Sequence, residues 1–511
     1  GALFSRYSRT DKSLRRLLLD EFINAPEMGF KEIVGHQVSK GETELVAIQK
    51  AEEFYDRVLV GYGDDSVAEL GGAHIAVEQI SNIATKVLED ARIGLSPLEK
   101  SSRYVYYDNK IDGEFQFYKD PKIMESKHAD AYLELNNELF EEYSKLIPVM
   151  KKFAMEKFPQ TADVSDRAYQ STIKAKACDV LRVFLPASTL TNMGIYGNGR
   201  AFEYLLTKMY AHPLTEIQNI AESMQKELEK VIPSFVKRAN DKYGQRTINY
   251  MQETRKGMET LTEEFLGKEN SHSMPEKQEE VVLVEYDKDA EDKVLTGIFY
   301  QHTDLSENEI KKKVHTLNSE QRKKVIQEFL SRRENRRHKP GRALENTYYT
   351  LDILADYGVY RDLQRHRMLT QERQLLTTKH GYYTPVEMKE IGAEKVHKDL
   401  MQKADTVFNA IAKDFRKEAQ YVVPFGYRIR WYFKMNLREV YHFTELRSVP
   451  QGHPNYRRIA QKVFLETQKV HPALAEYMKF VDLKEYALER LEAEKKQDKK
   501  LQELDKKYGK I

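Results

Sequence analysis

The chain has 511 residues, and its 82 lysines and arginines stand against 80 aspartates and glutamates. This length exceeds one ordinary hydrophobic core and predicts two domains of roughly 200–250 residues. The formal net charge of +2 excludes a strongly basic protein that coats nucleic acid. The single cysteine, Cys178, excludes an intramolecular disulfide, and no cysteine and histidine set has zinc spacing, so no metal is predicted.

These features fit a reducing, intracellular compartment. The opening residues 1–9 are interrupted by charge and lack the apolar core of a signal peptide. No apolar run in the chain is long enough to span a bilayer. The sequence therefore predicts a soluble, cytoplasmic protein with no membrane partner and no nucleic-acid partner.

In the first half, apolar periodicity predicts mainly helices. In the most regular of them, Val77, Ile80 and Ile83 begin an apolar face that continues through Leu88. A Gly- and Asn-rich break over 186–199 interrupts the series. The predicted helices cover residues 14–22, 43–60, 77–88, 129–158, 161–185, 201–211 and 215–239.

The polar stretch 243–277 is interpreted as the connection between domains, partly helical. Residues 281–286, Val-Val-Leu-Val-Glu-Tyr, form the clearest predicted strand, so the second domain begins with a strand. Further helices are predicted over 307–331, 348–364, a long segment ending at Pro424, 436–446, and an exposed charged tail from Glu485.

The two halves repeat one order of landmarks. Arg182 to Pro186 and Gln420 to Pro424 end their helices in the same way, and each is followed at equal distance by an asparagine. His212-Pro213 recurs as His453-Pro454. A tandem duplication is therefore predicted, with a first repeat over 1–250, a linker over 251–278, a second repeat over 279–483 and a charged tail over 484–511.

Two partial motifs carry a resemblance to a known family. Arg365-His366-Arg367 and, far upstream, Glu99, Ser101 and Arg103 resemble the two ends of R-H-R-x-x-S-x-N-E-x-S-x-R-Y, the signature of flavin-dependent thymidylate synthases. Residues 436–447 match the family pattern N-x-R-x-x-x-[NH]-x-x-x-x-R. The resemblance covers most of both halves. It implies an α+β fold in which each repeat is a helix-rich domain with a small antiparallel sheet, and the two form a pseudo-dimer.

The 436–447 segment also carries a prediction of its own. At 100° per residue, Asn436 and Arg447 lie about 20° apart on one helix face, while Arg438 and His442 share another. Such a helix presents polar groups in two directions, as a wall between two ligands would. Surface ion pairs are the alternative interpretation of the two arginines.

The resemblance implies specific roles and cofactors. FAD is the implied cofactor, with methylenetetrahydrofolate as carbon donor and NADPH as reductant, and dUMP is the implied substrate. Arg447 is the implied catalytic group, which stabilises charge developing on the pyrimidine. The implied FAD-binding residues are Arg365, His366, Arg367, Asn436, Arg438 and His442; the implied substrate-binding residues are Glu99, Ser101, Arg103, Arg182, Arg365 and Arg447. Among the latter, Glu99, Ser101 and Arg103 are implied to contact the sugar and phosphate of dUMP, and Arg182 its phosphate.

Each repeat lacks family site residues that the other repeat has. The first has Met209 where the second has Arg447, and the second has Gln420 where the first has Arg182. Composite active sites built from both repeats are therefore predicted. A homodimer that mimics the family's homotetramer is the expected assembly.

Departures from the family pattern leave two alternatives open. The segment 63–70 resembles the family's G-H-x-S-V-x-E-H without either histidine, and Asp362 stands where a glutamine is usual. The chain could thus be a non-catalytic flavin- or nucleotide-binding scaffold or sensor. A flavoenzyme that acts on a different pyrimidine nucleotide is the other alternative.

Overall fold

The structure, a computed structural model, describes residues 10–17, 19, 69–267 and 279–509. The chain divides into two compact units, the first from residues 1–100 and 190–270, and the second from 101–189 and 271–511. The second unit therefore combines segments of both sequence repeats. The helix predicted over 43–60 and most of the 63–70 segment lie outside the described residues.

The described chain contains both strands and helices. The strands are β1 Gly72–Ser81, β2 Leu95–Glu99, β3 Lys110–Ile111, β4 Glu114–Phe115, β5 Leu190–Asn198, β6 Val281–Tyr286, β7 Tyr348–Asp356, β8 Leu369–Arg373 and β9 Arg428–Asn436. The helices are α1 Leu14–Leu17, α2 Asn82–Asp90, α3 Pro121–Met124, α4 Ala129–Lys157, α5 Asp166–Leu181, α6 Gly199–Tyr210, α7 Thr215–Leu228, α8 Pro233–Val236, α9 Lys242–Leu266, α10 Ala290–Tyr300, α11 Glu307–His315, α12 Ser319–Leu330, α13 Tyr357–Leu363, α14 Glu387–Glu390, α15 Glu394–Asp414, α16 Leu437–Arg447, α17 Pro454–Val470, α18 Pro472–Ala475 and α19 Leu491–Tyr508.

Each unit is built around a small antiparallel sheet. The first unit has the strand order β1-β5-β2, and the second has β6-β7-β9-β8. In β9, alternate residues Trp431, Phe433 and Met435 are buried, as the two-residue period of a strand requires. The Trp431 ring contacts Tyr360 and the Phe433 ring contacts Phe443, so the helices α13 and α16 pack against this face.

Three strands of the second sheet repeat the topology of the first, which confirms the predicted α+β fold of two repeats. Strand β5 lies between β1 and β2, and β9 lies between β7 and β8; each is followed directly by a helix, α6 or α16, whose first turn is capped by an asparagine side chain. The first-repeat order β1-β5-β2 corresponds to β7-β9-β8 of the second.

The second unit also contains a contact between equivalent residues of the two repeats. Pro186 pairs with Pro424 in an antiparallel bridge. Four backbone hydrogen bonds flank it in two related pairs: Ala187 N to Val423 O with Phe425 N to Leu185 O, and Ser188 N to Tyr421 O with Gly426 N to Val183 O. Every bond in the set has its counterpart with the repeats exchanged. This is the self-complementary pattern of a two-fold interface, here within one chain.

The helix predicted over 77–88 is wrong in its first part. Residues Gly72–Ser81 form β1, and only Asn82–Asp90 is helical. Gln79 has a φ of 57°, and the pairing with β5 shifts register between Val77 and Ile80. Such a bulge adds one residue to a strand, so two buried residues fall three apart and imitate helical spacing.

Two further segments predicted as helix or break contain strands. The helix predicted over 348–364 is β7 up to Asp356, followed by the short α13. The break predicted over 186–199 contains β5. In β7 burial alternates from Tyr348 to Ile353, but the residues from Ile353 to Asp356 are all buried, so the alternation typical of a strand stops before the strand ends.

Two other predicted elements are confirmed. The strand Val281–Tyr286 and the helix Ala129–Lys157 appear with nearly the predicted bounds. The polar stretch interpreted as a connection is helical up to Leu266. Within the described ranges, every helix is too short or too polar to cross a bilayer.

Candidate functional site

Helix α16 carries the first group of predicted site residues. Asn436 ends strand β9 and its Oδ1 accepts a hydrogen bond from Glu439 N at 2.9 Å, which caps the helix. Because the cap fixes where the helix begins, it also fixes the position of Glu439 in the first turn and that of His442 three residues further along the helix. Arg447 forms the last residue of the same helix.

A hydrogen-bonded chain connects this helix to the residues that follow α13. Arg447 Nε donates to His366 Nε2 at 2.9 Å, and His366 Nδ1 lies 2.6 Å from Glu439 Oε1. An arginine can only donate, so His366 Nε2 must be the unprotonated nitrogen and Nδ1 donates to the carboxylate. Glu439 thereby sets the tautomer of His366, and His366 orients Arg447.

Two cationic side chains, Lys339 and Arg438, make hydrogen bonds at the same helix. Lys339 Nζ lies 2.7 Å from His442 Nδ1, and Arg438 donates to Glu345 Oε1 at 2.8 Å and to the Pro340 carbonyl at 2.9 Å. Burial lowers the pKa of His442 to about 4, so this imidazole is neutral at physiological pH. A neutral imidazole accepts the hydrogen bond from the ammonium of Lys339.

Arg365 and Arg367 flank the buried His366. Both arginines are exposed and follow the end of α13. They lie beside the histidine that contacts Arg447, so the predicted FAD-binding triplet and the predicted catalytic arginine belong to one region of the second unit.

His366, Glu439 and His442 each offer a ligand atom, and these atoms lie within 4.8 Å of one another. Two histidines and one carboxylate are a donor set suited to divalent transition metals. Here, however, Arg447 and Lys339 are hydrogen-bonded to ring nitrogens of the two histidines and would repel a metal cation. We therefore assign this cluster to hydrogen bonding and to positioning of Arg447.

Arg103, from the first repeat, lies in the same unit. Its Nε and Nη2 donate to the two carboxylate oxygens of Asp179, each at 2.7 Å, and its Nη1 donates to Tyr456 Oη at 3.3 Å. Burial alone would raise the pKa of Asp179, but Arg103 outweighs it and holds that pKa below its ordinary value. The result is a buried, bidentate ion pair.

Tyr456 joins the two repeats at this point. The guanidinium carbon of Arg103 lies 5.5 Å from the centroid of the Tyr456 ring, and that of Arg447 lies 5.8 Å from it. One ring therefore contacts an arginine of the first repeat and the predicted catalytic arginine of the second.

Arg182 is paired with an acid of the second repeat. Its Nη1 donates to Asp362 Oδ2 at 2.9 Å, and an added Cβ at Gly358 would lie 3.0 Å from its Nε. Arg182 is buried, and its Nη2 has no hydrogen-bond partner among the described residues. Burial would raise the pKa of Asp362, but Arg182, then Arg103 and His453, hold it well below its usual range.

The remaining predicted residues divide between the units. Ser101 Oγ accepts from Arg103 N at 3.2 Å, and the neighbouring Ser102 Oγ accepts from Arg361 Nη1 at 3.1 Å. Glu99 belongs to the first unit, where its carboxylate bonds to Lys86 Nζ at 3.1 Å. The structure thus gathers Ser101, Arg103 and Arg182 with the second-repeat residues in one unit and holds Glu99 in the other.

Several residues of this region carry weak or no sequence signals. Asp179 precedes Arg182 by three positions on the helical path, the spacing of side chains on one face. Asp362 is noticeable only as a departure from the family glutamine. Tyr456 follows the repeated His-Pro landmark, and nothing in its local sequence indicates that it contacts two arginines.

The fold and this site define a class of protein: a duplicated α+β chain in which an arginine of one repeat and an oriented arginine of the other contact the same tyrosine ring. Residues 25–234 and 282–473 match the family described as thymidylate synthase complementing protein. The chain belongs to this family, and the two matched regions confirm the predicted tandem duplication.

Individual proteins similar to this chain include UPF0159 proteins and a flavin-dependent thymidylate synthase. A UPF0159 protein of Chlamydia muridarum is 44% identical over 97% of this chain and 92% of its own length. A UPF0159 protein of Thermoplasma acidophilum is 34% identical over 97% of each chain. A flavin-dependent thymidylate synthase of Sulfurisphaera tokodaii is 31% identical over 148 residues, which are 26% of this chain and 56% of that enzyme.

Proposed function

We propose that the protein is a flavin-dependent thymidylate synthase-like enzyme that transfers a one-carbon unit to the uracil ring of a deoxyuridine substrate. The reaction from dUMP to dTMP, with methylenetetrahydrofolate and NADPH, is the family's form of this chemistry and the first to test. The observation that carries the proposal is the chain Glu439–His366–Arg447, which ends beside the Tyr456 ring.

Arg447 is the catalytic residue in this proposal. His366 holds its Nε, and within the described ranges the terminal nitrogens Nη1 and Nη2 make no hydrogen bond to protein. A guanidinium fixed at one edge can present its two terminal donors to a carbonyl oxygen of the pyrimidine. Donors held in place before the reaction stabilise developing negative charge without reorganisation.

FAD is the proposed cofactor, and the residues present fit it. Arg438 and Lys339 supply cationic donors along α16, and Arg365 and Arg367 flank the His366 that contacts this helix, a set suited to the diphosphate of FAD. His366, Asn436 and His442 would complete the binding site. When bound, the flavin supplies the redox chemistry of the methyl transfer.

A homodimer in the cytoplasm is the proposed form of the enzyme. The self-complementary contact around Pro186 and Pro424 supports the view that one chain replaces two subunits of the family's homotetramer. Two chains would then supply the four repeats.

One experiment tests the reaction. The purified full-length protein should be yellow or take up added FAD, and should release tritium from C5 of a labelled deoxyuridine substrate when methylenetetrahydrofolate and NADPH are present. Arg447→Ala should slow this release by about 100-fold or more, because one preorganised donor group is lost.

Arg430→Ala is the matched control, because Arg430 pairs with Asp352 on the sheet and has no proposed catalytic role. This variant should retain the rate of the unaltered protein. A colourless protein that takes up no FAD would contradict the proposed function.

A second candidate function, a non-catalytic flavin- or nucleotide-binding scaffold or sensor, has one observation in its favour. The two first-repeat arginines expected to bind substrate, Arg103 and Arg182, are paired with internal carboxylates. A yellow protein that binds a deoxyuridine compound and releases no tritium from C5 would favour this candidate.

A further inference from the structure

The ion pair between Arg182 and Asp362 lies where the resemblance implies that the substrate phosphate binds. The Arg182 side chain is 3% exposed, whereas the Asp362 side chain is 21% exposed. The carboxylate therefore remains accessible beside a guanidinium that is removed from solvent. A ligand that reaches Arg182 must also meet Asp362.

Every guanidinium nitrogen of the second arginine of this region already has a protein partner. Arg103 Nε and Nη2 bond to Asp179, and Nη1 bonds to Tyr456. Displacing Asp179 would leave a buried carboxylate without its partner, which costs much more than exchanging partners in water. Arg103 and Asp179 therefore act as a closed, neutral pair.

The charges of the two ion pairs cancel. Asp179 and Asp362 both have pKa values held below the ordinary range, chiefly by Arg103 and Arg182 acting against burial, so both remain ionised at neutral pH. A phosphate monoester carries a charge of about −1.5 to −2 at pH 7. Next to Asp362 it would meet a like charge in a poorly solvated place, where such repulsion is weakly screened.

An uncharged hydroxyl group can bind at the ion pair of Arg182 and Asp362 without that repulsion. Arg182 Nη2 is a buried donor with no partner among the described residues, so it can donate to a hydroxyl oxygen. The carboxylate of Asp362 can accept a hydrogen bond from that hydroxyl, as acidic residues do from the sugar hydroxyls of dinucleotides. The donor, Arg182 Nη2, and the acceptor, the carboxylate of Asp362, belong to the same ion pair.

We propose that the sugar end of the substrate is uncharged here: the site binds the nucleoside deoxyuridine in preference to its 5′-monophosphate, with the hydroxyl group between Arg182 and Asp362. The proposal rests on the proposed function, because it concerns the substrate of that same site.

Calorimetric titration of the full-length, FAD-loaded protein with deoxyuridine and with dUMP tests the proposal. The unaltered protein should bind deoxyuridine at least ten times more tightly than dUMP at neutral pH. Asp362→Asn removes the negative charge and keeps the side-chain size. This variant should gain at least tenfold in dUMP affinity and so reverse or abolish the preference.

Asp352→Asn is the matched control, because it removes a carboxylate paired with Arg430 elsewhere in the same unit. It should leave the preference unchanged, and thermal unfolding establishes that each variant is folded. If the unaltered protein binds dUMP more tightly than deoxyuridine, the inference is wrong while the proposed function stands. If it binds neither compound, both fail. A preference for deoxyuridine that survives in Asp362→Asn also overturns the proposed role of Asp362.

Discussion

His453 shows how single residues of this region depend on their protonation state. The residue is buried, its Nδ1 accepts from Asn455 N at 3.1 Å, and its Nε2 lies 3.2 Å from the carbonyl oxygen of Asp179. The first contact caps helix α17, and the second requires a proton on Nε2. Only the neutral imidazole makes both. Burial, together with Arg182 and Arg103, lowers its pKa to about 3.

This pKa predicts a pH-dependent stability. The ordinary value is 6.5, so between about pH 6.5 and pH 3 the unfolded chain binds a proton that the folded chain excludes. The free energy of unfolding therefore decreases as the pH falls, by up to about 1.4 kcal/mol per pH unit from His453. Urea unfolding at several pH values measures it. His453→Asn, which keeps a capping oxygen, should be less pH-dependent by about that amount. Equal slopes in both proteins would contradict the assignment.

At the scale of residues, the motifs located Arg103, Arg182, Arg365 and Arg447, and the structure gave them partners. A motif specifies which side chain stands at a position along the chain. The partner acids Asp179 and Asp362 depend on which helices pack together, and that information is spread over both repeats. The motifs therefore indicate Arg103 and Arg182 as phosphate ligands, and only the tertiary structure shows that each is paired with a carboxylate.

At the scale of elements, the duplication offers pairs of equivalent positions. Asn198 and Asn436 end equivalent strands and cap equivalent helices, with Oδ1 accepting from Ala201 N at 2.8 Å and from Glu439 N at 2.9 Å. The two caps have the same geometry. Only Asn436 lies at a proposed FAD-binding position.

Replacing each asparagine separates the two roles. Asn198→Ala and Asn436→Ala should each lower the free energy of unfolding by about 1 kcal/mol, because a helix cap is lost. Asn436→Ala alone should weaken FAD retention, measured by flavin absorbance after dialysis. Similar loss of FAD in both variants would mean that the effect is general destabilisation, and would contradict the proposed role of Asn436.

The elements also show where apolar spacing misleads. In β1 the bulge near Gln79 places Val77 and Ile80 on one face with a helical interval. In β7 burial of both faces over the last four residues interrupts the alternation that indicates a strand. Helices with one long apolar face, such as Ala129–Lys157, have no such ambiguity, because a 3.6-residue period persists over many turns.

At the scale of the whole molecule, the repeats and the compact units do not share their limits. Residues 101–189 belong to the first repeat by sequence and to the second unit by structure. Within that unit, helix α4 packs against helix α15, and the bridge between Pro186 and Pro424 joins equivalent segments. Neither repeat contains the whole of this core.

Separate expression of the two repeats tests this interdependence. A fragment of residues 279–511 lacks 101–189, so it should expose apolar surface and fail to unfold cooperatively when isolated. Co-expressed with a tagged fragment of residues 1–267, it should be recovered in the same complex. A full-length protein cleaved at a protease site inserted within 268–278 is the control and should remain assembled. Cooperative unfolding of the isolated 279–511 fragment would contradict the prediction.

The sequence by itself determined the duplication, the α+β class and the family, because landmarks and motifs persist along the chain whatever their surroundings. It also located the residues proposed to bind FAD and substrate. Only the tertiary structure decided that Ser101, Arg103 and Arg182 share a unit with Arg447, and that Glu99 lies in the other. It also revealed the carboxylates that neutralise two of the arginines. Contacts between residues hundreds of positions apart arise from packing, which no local pattern records.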